Sequence, residues 1–97
     1  MIPLEIPPQK GHGIALSAPA IILRLPAVLK ARGLSRSTHY SDILQGFFTH
    51  PVSIGFRSVG WPEHEVTALN AARIASRSDE QIRALVINLE AARKLVA

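Results

Sequence analysis

The stretch "KARGLSRSTHY", Lys30–Tyr40, leaves this chain few ways to fold. Upstream, "LRLPAVLKARG" carries a helix start in Pro26, because proline suits the first turn, where its missing N–H costs nothing. Val28 and Leu29 supply apolar contacts, and Lys30 and Arg32 complement the negative end of the helix dipole. Gly33 then stands where a left-handed residue ends a helix. Only Leu34 and Ser35 separate it from the next helical run, and Ser35 is a good N-cap. Two short helices joined by so tight a glycine turn are the signature of a helix-turn-helix.

In the second helix Tyr40, Ile43, Leu44 and Phe47 recur at i, i+3, i+4 and i+7, which predicts one apolar face. The other sides carry Arg36, Ser37, Thr38, Ser41, Asp42 and Gln45, side chains rich in donors and acceptors but poor in charge. Gly46 ends the run. In "PVSIGFRSVGW" Val52 and Ile54 alternate before "GFRS", and Val59 and Trp61 alternate after it. That is a small β-hairpin with Arg57 and Ser58 at its tip and Trp61 as its apolar anchor. Pro62 opens a third helix with Glu63 and Glu65 near its positive end and Val66, Leu69 and Ile74 as buried candidates. "SDEQ" at Ser78 is a capping box for a fourth, whose period runs through Ile82, Leu85, Val86, Leu89 and Val96. Asp79–Arg83 and Glu90–Lys94 are spaced to pair along it. The fold class is therefore mainly α with a small β-hairpin, a winged helix-turn-helix plus a C-terminal helix.

Charge singles out one segment. Between Arg24 and Gly60 stand five cations, Arg24, Lys30, Arg32, Arg36 and Arg57, against Asp42 alone. The remaining six cations are balanced by six acids, so the whole net charge of +4 lies in that segment. Localised positive charge points to a polyanionic partner, nucleic acid before anionic lipid. Arg36 could contact guanine or phosphate, and Ser37, Thr38 and Ser41 could reach base edges or phosphates from a helix in the major groove. Asp42 either orients Arg36 or a neighbouring donor, or is a solvated acid.

Two blocks carry a resemblance. "LRLPAVLKARGLSRSTHYSDILQGFF" and "PVSIGFRSVGWPEHEVTAL" are similar to the AlpA family of phage and prophage regulators. Its pattern runs R-L-P-x-V-L-x-x-x-G-L-S-R-S-T-x-Y, then P-V-x-I/L-G-x-R-x-V-G-W-x-x-x-E-V. The resemblance covers Arg24 to about Arg77, a little over half the chain. It implies a winged helix-turn-helix related to phage excisionases and, more distantly, to MerR-type regulators, and transcriptional control in an integrated element. It also implies that Arg36, Ser37, Thr38 and Tyr40 belong to the recognition-helix motif and Arg57 to the wing. Many members have isoleucine at the position of His39 and a basic residue at that of Ser41, and Asp42 replaces a commonly apolar residue. A less basic recognition surface is expected, and a relative's target sequence does not transfer. His39 either contacts DNA or packs where isoleucine is usual. Tyr40 is shared between the apolar stripe and a hydroxyl directed at phosphate.

The expected organisation is an N-terminal arm over 1–23, a DNA-binding domain over 24–77 and a C-terminal helix over 78–97. That helix braces the domain or dimerises, since Ile87 and Leu95 lie off its main face. The arm holds four of the seven prolines, and its isoleucines and leucines (Ile14, Leu16, Ile21, Ile22, Leu23) could pack on the body or on a second subunit. The uncharged run from Gly11 to Leu23 is too short to span a bilayer, which takes about twenty apolar residues, and a flexible arm or short strand is favoured over a signal peptide. No membrane partner is expected, and the default location is the cytoplasm.

Catalysis is not expected. There is no cysteine, the four histidines (His12, His39, His50, His64) lack metal-ligand spacing, and "PEHEV" is not H-E-x-x-H. No cofactor is implied either, because "GHG" lacks the context of a phosphate loop. The reading is a sequence-specific binder of double-stranded DNA, assembling with itself on repeats or acting singly. An excisionase-type protein that bends DNA is the alternative within that class. A protein-interaction adaptor that does not bind DNA is the alternative outside it.

Overall fold

The structure, a computed structural model, describes residues 20–95. A short strand, β1 (Ile22–Leu23), leads into α1 (Leu25–Arg32) and α2 (Arg36–Gln45). The hairpin follows as β2 (Val52–Gly55) and β3 (Ser58–Pro62), then α3 (Glu63–Ile74) and α4 (Asp79–Ala92), which closes in a 3₁₀ turn, Arg93–Leu95. The fold is mainly helical with a small antiparallel sheet, a winged helix-turn-helix.

Local signals set the helix ends. Gly33 adopts φ +68°, and its N–H and that of Leu34 both donate to the Leu29 carbonyl, at 2.8 and 3.2 Å. Ser35 then caps α2 by accepting from the Thr38 N–H at 3.2 Å. At α4 the capping box is complete: Ser78 Oγ accepts from the Gln81 N–H, and Gln81 Oε1 accepts from that of Ser78. Each such cap is worth about 1 kcal/mol.

The sheet has three strands, in the order β1–β3–β2, one more than the hairpin pattern predicts. Ile22 pairs with Pro62 and Leu23 with Trp61, so the last residues of the expected arm belong to the sheet. This strand explains Gly60, where any Cβ would lie 2.6 Å from Ile22 Cγ2 and 2.8 Å from the Leu23 carbonyl oxygen. Ile14, Leu16 and most of the run considered as a signal peptide lie outside the described residues, as does Val96.

One core joins all four helices to the sheet: Val28, Ile43, Phe48, Trp61, Val66, Leu69, Ala72, Ile82 and Val86. Trp61 is fully buried, and its Nε1–H donates to the Thr49 carbonyl at 2.8 Å, pinning the hairpin to the chain after α2.

The apolar face of α2 departs from its expected stripe. His39 and Ile43 are buried, Tyr40 and Phe47 are half-buried, and Leu44 is 88% exposed. At about 100° per residue, a contact face centred one residue earlier swings Leu44 into solvent. Ile74, expected inside, is 84% exposed at the end of α3. The expected pairs along α4 give way to tertiary partners. Arg83 Nε donates to the Gln45 carbonyl at 2.9 Å, and Glu90 Oε2 accepts from the His50 N–H at 2.7 Å and from its Nδ1 at 2.9 Å. Glu65, near the positive end of α3 as expected, is fully buried and paired with Arg93.

Candidate nucleic-acid interface

Opposite the core, α2 turns Arg36, Ser37, Thr38, Ser41, Leu44 and Gln45 to solvent. The polar members are held partly by one another. Ser35 Oγ donates to Thr38 Oγ1 at 3.0 Å, and Gln45 Nε2 donates to Ser41 Oγ at 2.9 Å. No acid stands in the first turn of α2, so its dipole and Arg36 add to a positive end open to an anion. Arg83 fixes the opposite end through the Gln45 carbonyl while its guanidinium lies 4.3 Å from the Phe47 ring centroid. The outward face is therefore carried on a helix secured at both ends.

The wing tip is the pair Phe56–Arg57. Arg57 sits at φ +59°, a left-handed conformation uncommon for a residue other than glycine, asparagine or aspartate. Phe56 is 86% exposed, and the Arg57 guanidinium lies 5.0 Å from its ring centroid. The tip thus presents an aromatic face and a cation side by side. Ser58 is half-buried, its Oγ directed back to the Phe56 carbonyl at 3.4 Å. Arg24 is exposed and holds the wing through a hydrogen bond from Nε to the Val59 carbonyl at 3.1 Å. Lys30 is exposed in the last turn of α1.

Two of the sequence candidates turn inward. Arg32 keeps only 5% of its side chain exposed; Nη2 donates to Asp42 Oδ2 at 2.7 Å and Nη1 to His39 Nδ1 at 2.9 Å. Its guanidinium also lies 4.1 Å from the Phe48 ring centroid. It is an internal tie between α1 and α2 and has no free face for a phosphate. Asp42 is its counter-ion and does not orient Arg36. Burial lowers the Arg32 pKa, while the hydrogen bond and charge of Asp42 draw it back up.

His39 is fully buried, edge-on to Tyr40, Phe48 and Trp61 at centroid distances of 5.3, 5.0 and 4.9 Å. It packs inside, where DNA cannot reach it. Because arginine can only donate, Nδ1 accepts, and the ring carries its proton on Nε2. Nε2 has no hydrogen-bond partner among the described residues. Burial, reinforced by the Arg32 charge and opposed by Asp42, pushes the pKa of His39 down to about 4, so the imidazole is neutral at ordinary pH.

The sequence reading placed Gln45 on the polar side of α2 but missed Leu44 as an outward residue, Phe56 as an exposed aromatic, and the internal use of Arg32. A signal existed for Leu44, which lies within about 60° of Ser37 and Ser41 around the helix. An open groove of about 480 Å³ lies beside Arg32, Thr38, Asp42 and Arg73. Its central charges, Arg32 and Asp42, already satisfy each other.

Residues 21–74 match the family model described as "Prophage CP4-57 regulatory protein (AlpA)". A protein of Enterobacteria phage P4, described as "Uncharacterized protein ORF88", is 51% identical over 55 residues, 57% of this chain. That alignment spans 62% of the relative's own length. No solved structure matches the chain. No helix among the described residues is long and apolar enough to cross a membrane.

Proposed function

The chain belongs to the AlpA family of prophage regulatory proteins, and from that premise we propose that it is a sequence-specific double-stranded DNA-binding transcriptional regulator of a phage, prophage or other mobile element, acting in the cytoplasm. Residues 24–77 are the DNA-binding domain, with α4 as its brace. In this reading α2 enters the major groove, Arg36, Ser37, Thr38 and Ser41 reach bases and flanking phosphates, and Arg24, Lys30 and Arg57 hold the backbone. The observation that carries it is the outward face of α2, a set of short donors and acceptors on a helix pinned at both ends and lacking acids in its first turn. A merely solvated helix more often carries glutamate and lysine. With Arg32 committed internally, four cations remain in the segment for phosphate contact.

Selection of a binding site from random duplex DNA, followed by titration at several salt concentrations, tests this. Log affinity should fall against log salt with a slope of about −3 to −4, near −0.9 per contact. Arg36→Ala should shrink the ratio of specific to non-specific affinity, since a bidentate arginine–guanine pair contributes about 1–3 kcal/mol of discrimination. Arg57→Ala should lower both affinities alike and make the slope shallower by about one contact. Absence of duplex binding at low salt would instead favour a protein-interaction adaptor.

A second reading rests on Phe56. An exposed aromatic beside a cation at a wing tip suits a wedge that unstacks a base step, so an excisionase-type architectural protein is its natural class. A bend in the selected site that disappears in Phe56→Ala would favour it. Ile87 and Leu95, exposed on α4 and its closing turn, are the side chains through which a second copy would assemble on paired sites.

A further inference from the structure

Leu44 is the most exposed large apolar side chain among the described residues, at 88%. It stands on α2 one turn beyond Ser41 and two beyond Ser37, so the three form one outward stripe. Its neighbours on that face, Arg36, Ser37, Thr38, Ser41 and Gln45, all carry donors or acceptors, and Leu44 carries none. The helix turn that bears it is held by Gly46 and by the bond from Arg83 to the Gln45 carbonyl, so the side chain is presented from a fixed backbone.

We propose that Leu44 reads a thymine in the target site by packing on its 5-methyl group. The inference rests on the DNA-binding reading and adds a specificity-determining residue to it. The thymine methyl is the one apolar feature among the base edges of the major groove. A leucine pressed against cytosine N4 or guanine O6 would strip water from a polar edge and return no hydrogen bond. The same side chain therefore attracts thymine and rejects the alternatives, while its serine neighbours, able to donate or accept, tolerate several bases.

Deoxyuridine tests this, since it pairs as thymine does and lacks only the methyl group. In the selected duplex each thymine is replaced singly by deoxyuridine, and wild type and Leu44→Gln are titrated on every duplex. Glutamine shares the helix preference of leucine, is one bond longer and ends in a polar group. Wild type should lose about fourfold affinity at one thymine per bound helix, the share of one buried methyl group. Leu44→Gln should bind the thymine and uracil duplexes equally there, with an unchanged melting temperature.

Wild type indifferent to every replacement, or a thymine preference that survives in Leu44→Gln, would overturn the assignment while leaving DNA binding intact. Failure of wild type to bind any duplex would overturn the assignment together with the reading beneath it.

Discussion

On its inward side α2 carries His39 and Ile43 into the core, and Arg32 from the preceding helix ties His39 to Asp42. On its outward side Arg36, Ser37, Thr38, Ser41 and Leu44 stand in solvent, with short bonds from Ser35 to Thr38 and from Gln45 to Ser41. Arg32 and Arg36, on either side of the glycine turn, share a charge and nothing else. The first is spent on holding two helices together, and the second is free for a partner. The two sides are thus separable: substitutions inside should move stability, and substitutions outside should move recognition alone.

The largest expected effect lies where the closing 3₁₀ turn is clamped to the interior. Arg93 donates to both oxygens of Glu65 at 2.8 and 2.7 Å and to the His50 carbonyl at 2.6 Å. Arg93→Ala leaves a buried carboxylate without its counter-charge, which typically costs about 3–5 kcal/mol. At about 4–8 °C per kcal/mol for a domain of this size, melting followed by circular dichroism should drop by more than 10 °C. A shift of only a few degrees would mean that the clamp matters little.

Next comes the contrast between the two arginines. Arg32→Ala unpairs Asp42 and His39 Nδ1 and removes the guanidinium from Phe48, with an expected loss of about 2–4 kcal/mol. Arg36→Ala should stay within about 0.5 kcal/mol of wild type, as exposed substitutions do. Equal losses in urea titrations of the two variants would erase the distinction between the sides of α2.

A smaller effect follows pH. The folded pKa of His39 is about 4 and its unfolded value is near the usual 6.5, so the unfolded chain takes up a proton first as pH falls. The stability associated with neutral His39 is complete above about pH 6.5 and is lost progressively toward pH 4, by at most roughly 3 kcal/mol. Denaturant midpoints at about pH 7 and about pH 4.5 should show the decline. His39→Phe, which keeps a flat ring and cannot titrate, should lack that component. Glu90 contributes separately: burial alone would raise its pKa, but the hydrogen bonds from His50 and the nearby Arg93 hold it below the usual carboxylate value, so its share is lost at lower pH. An identical pH profile in wild type and His39→Phe would show that the ring is solvated after all.

The elements were legible in the sequence because their signals are local. Pro26, Gly33, Ser35 and Ser78 with Gln81 act within about four residues of where they stand, through φ preferences and caps that any context preserves. The same holds for the hairpin, whose alternation and tip are contiguous. The family blocks extended this to the fold class, and the match over residues 21–74 bears that out.

Tertiary contacts decided the rest. In "STHYSDILQ" apolarity favours the wrong one of two stripes about 100° apart, because tyrosine is more apolar than the histidine that turned inward, and only Ser37 and Ser41 beside Leu44 point the other way. The choice fell to Arg32, ten residues from Asp42, whose bonds make a buried histidine tolerable. Likewise Gly60 has its reason only in β1, far back in the chain, and Arg93 reaches Glu65 and His50 across 28 and 43 residues. The sequence by itself determined where the chain turns helical and where it turns back. Which charges are free to meet a partner was settled by packing, since desolvation and pairing depend on neighbours that no local pattern names.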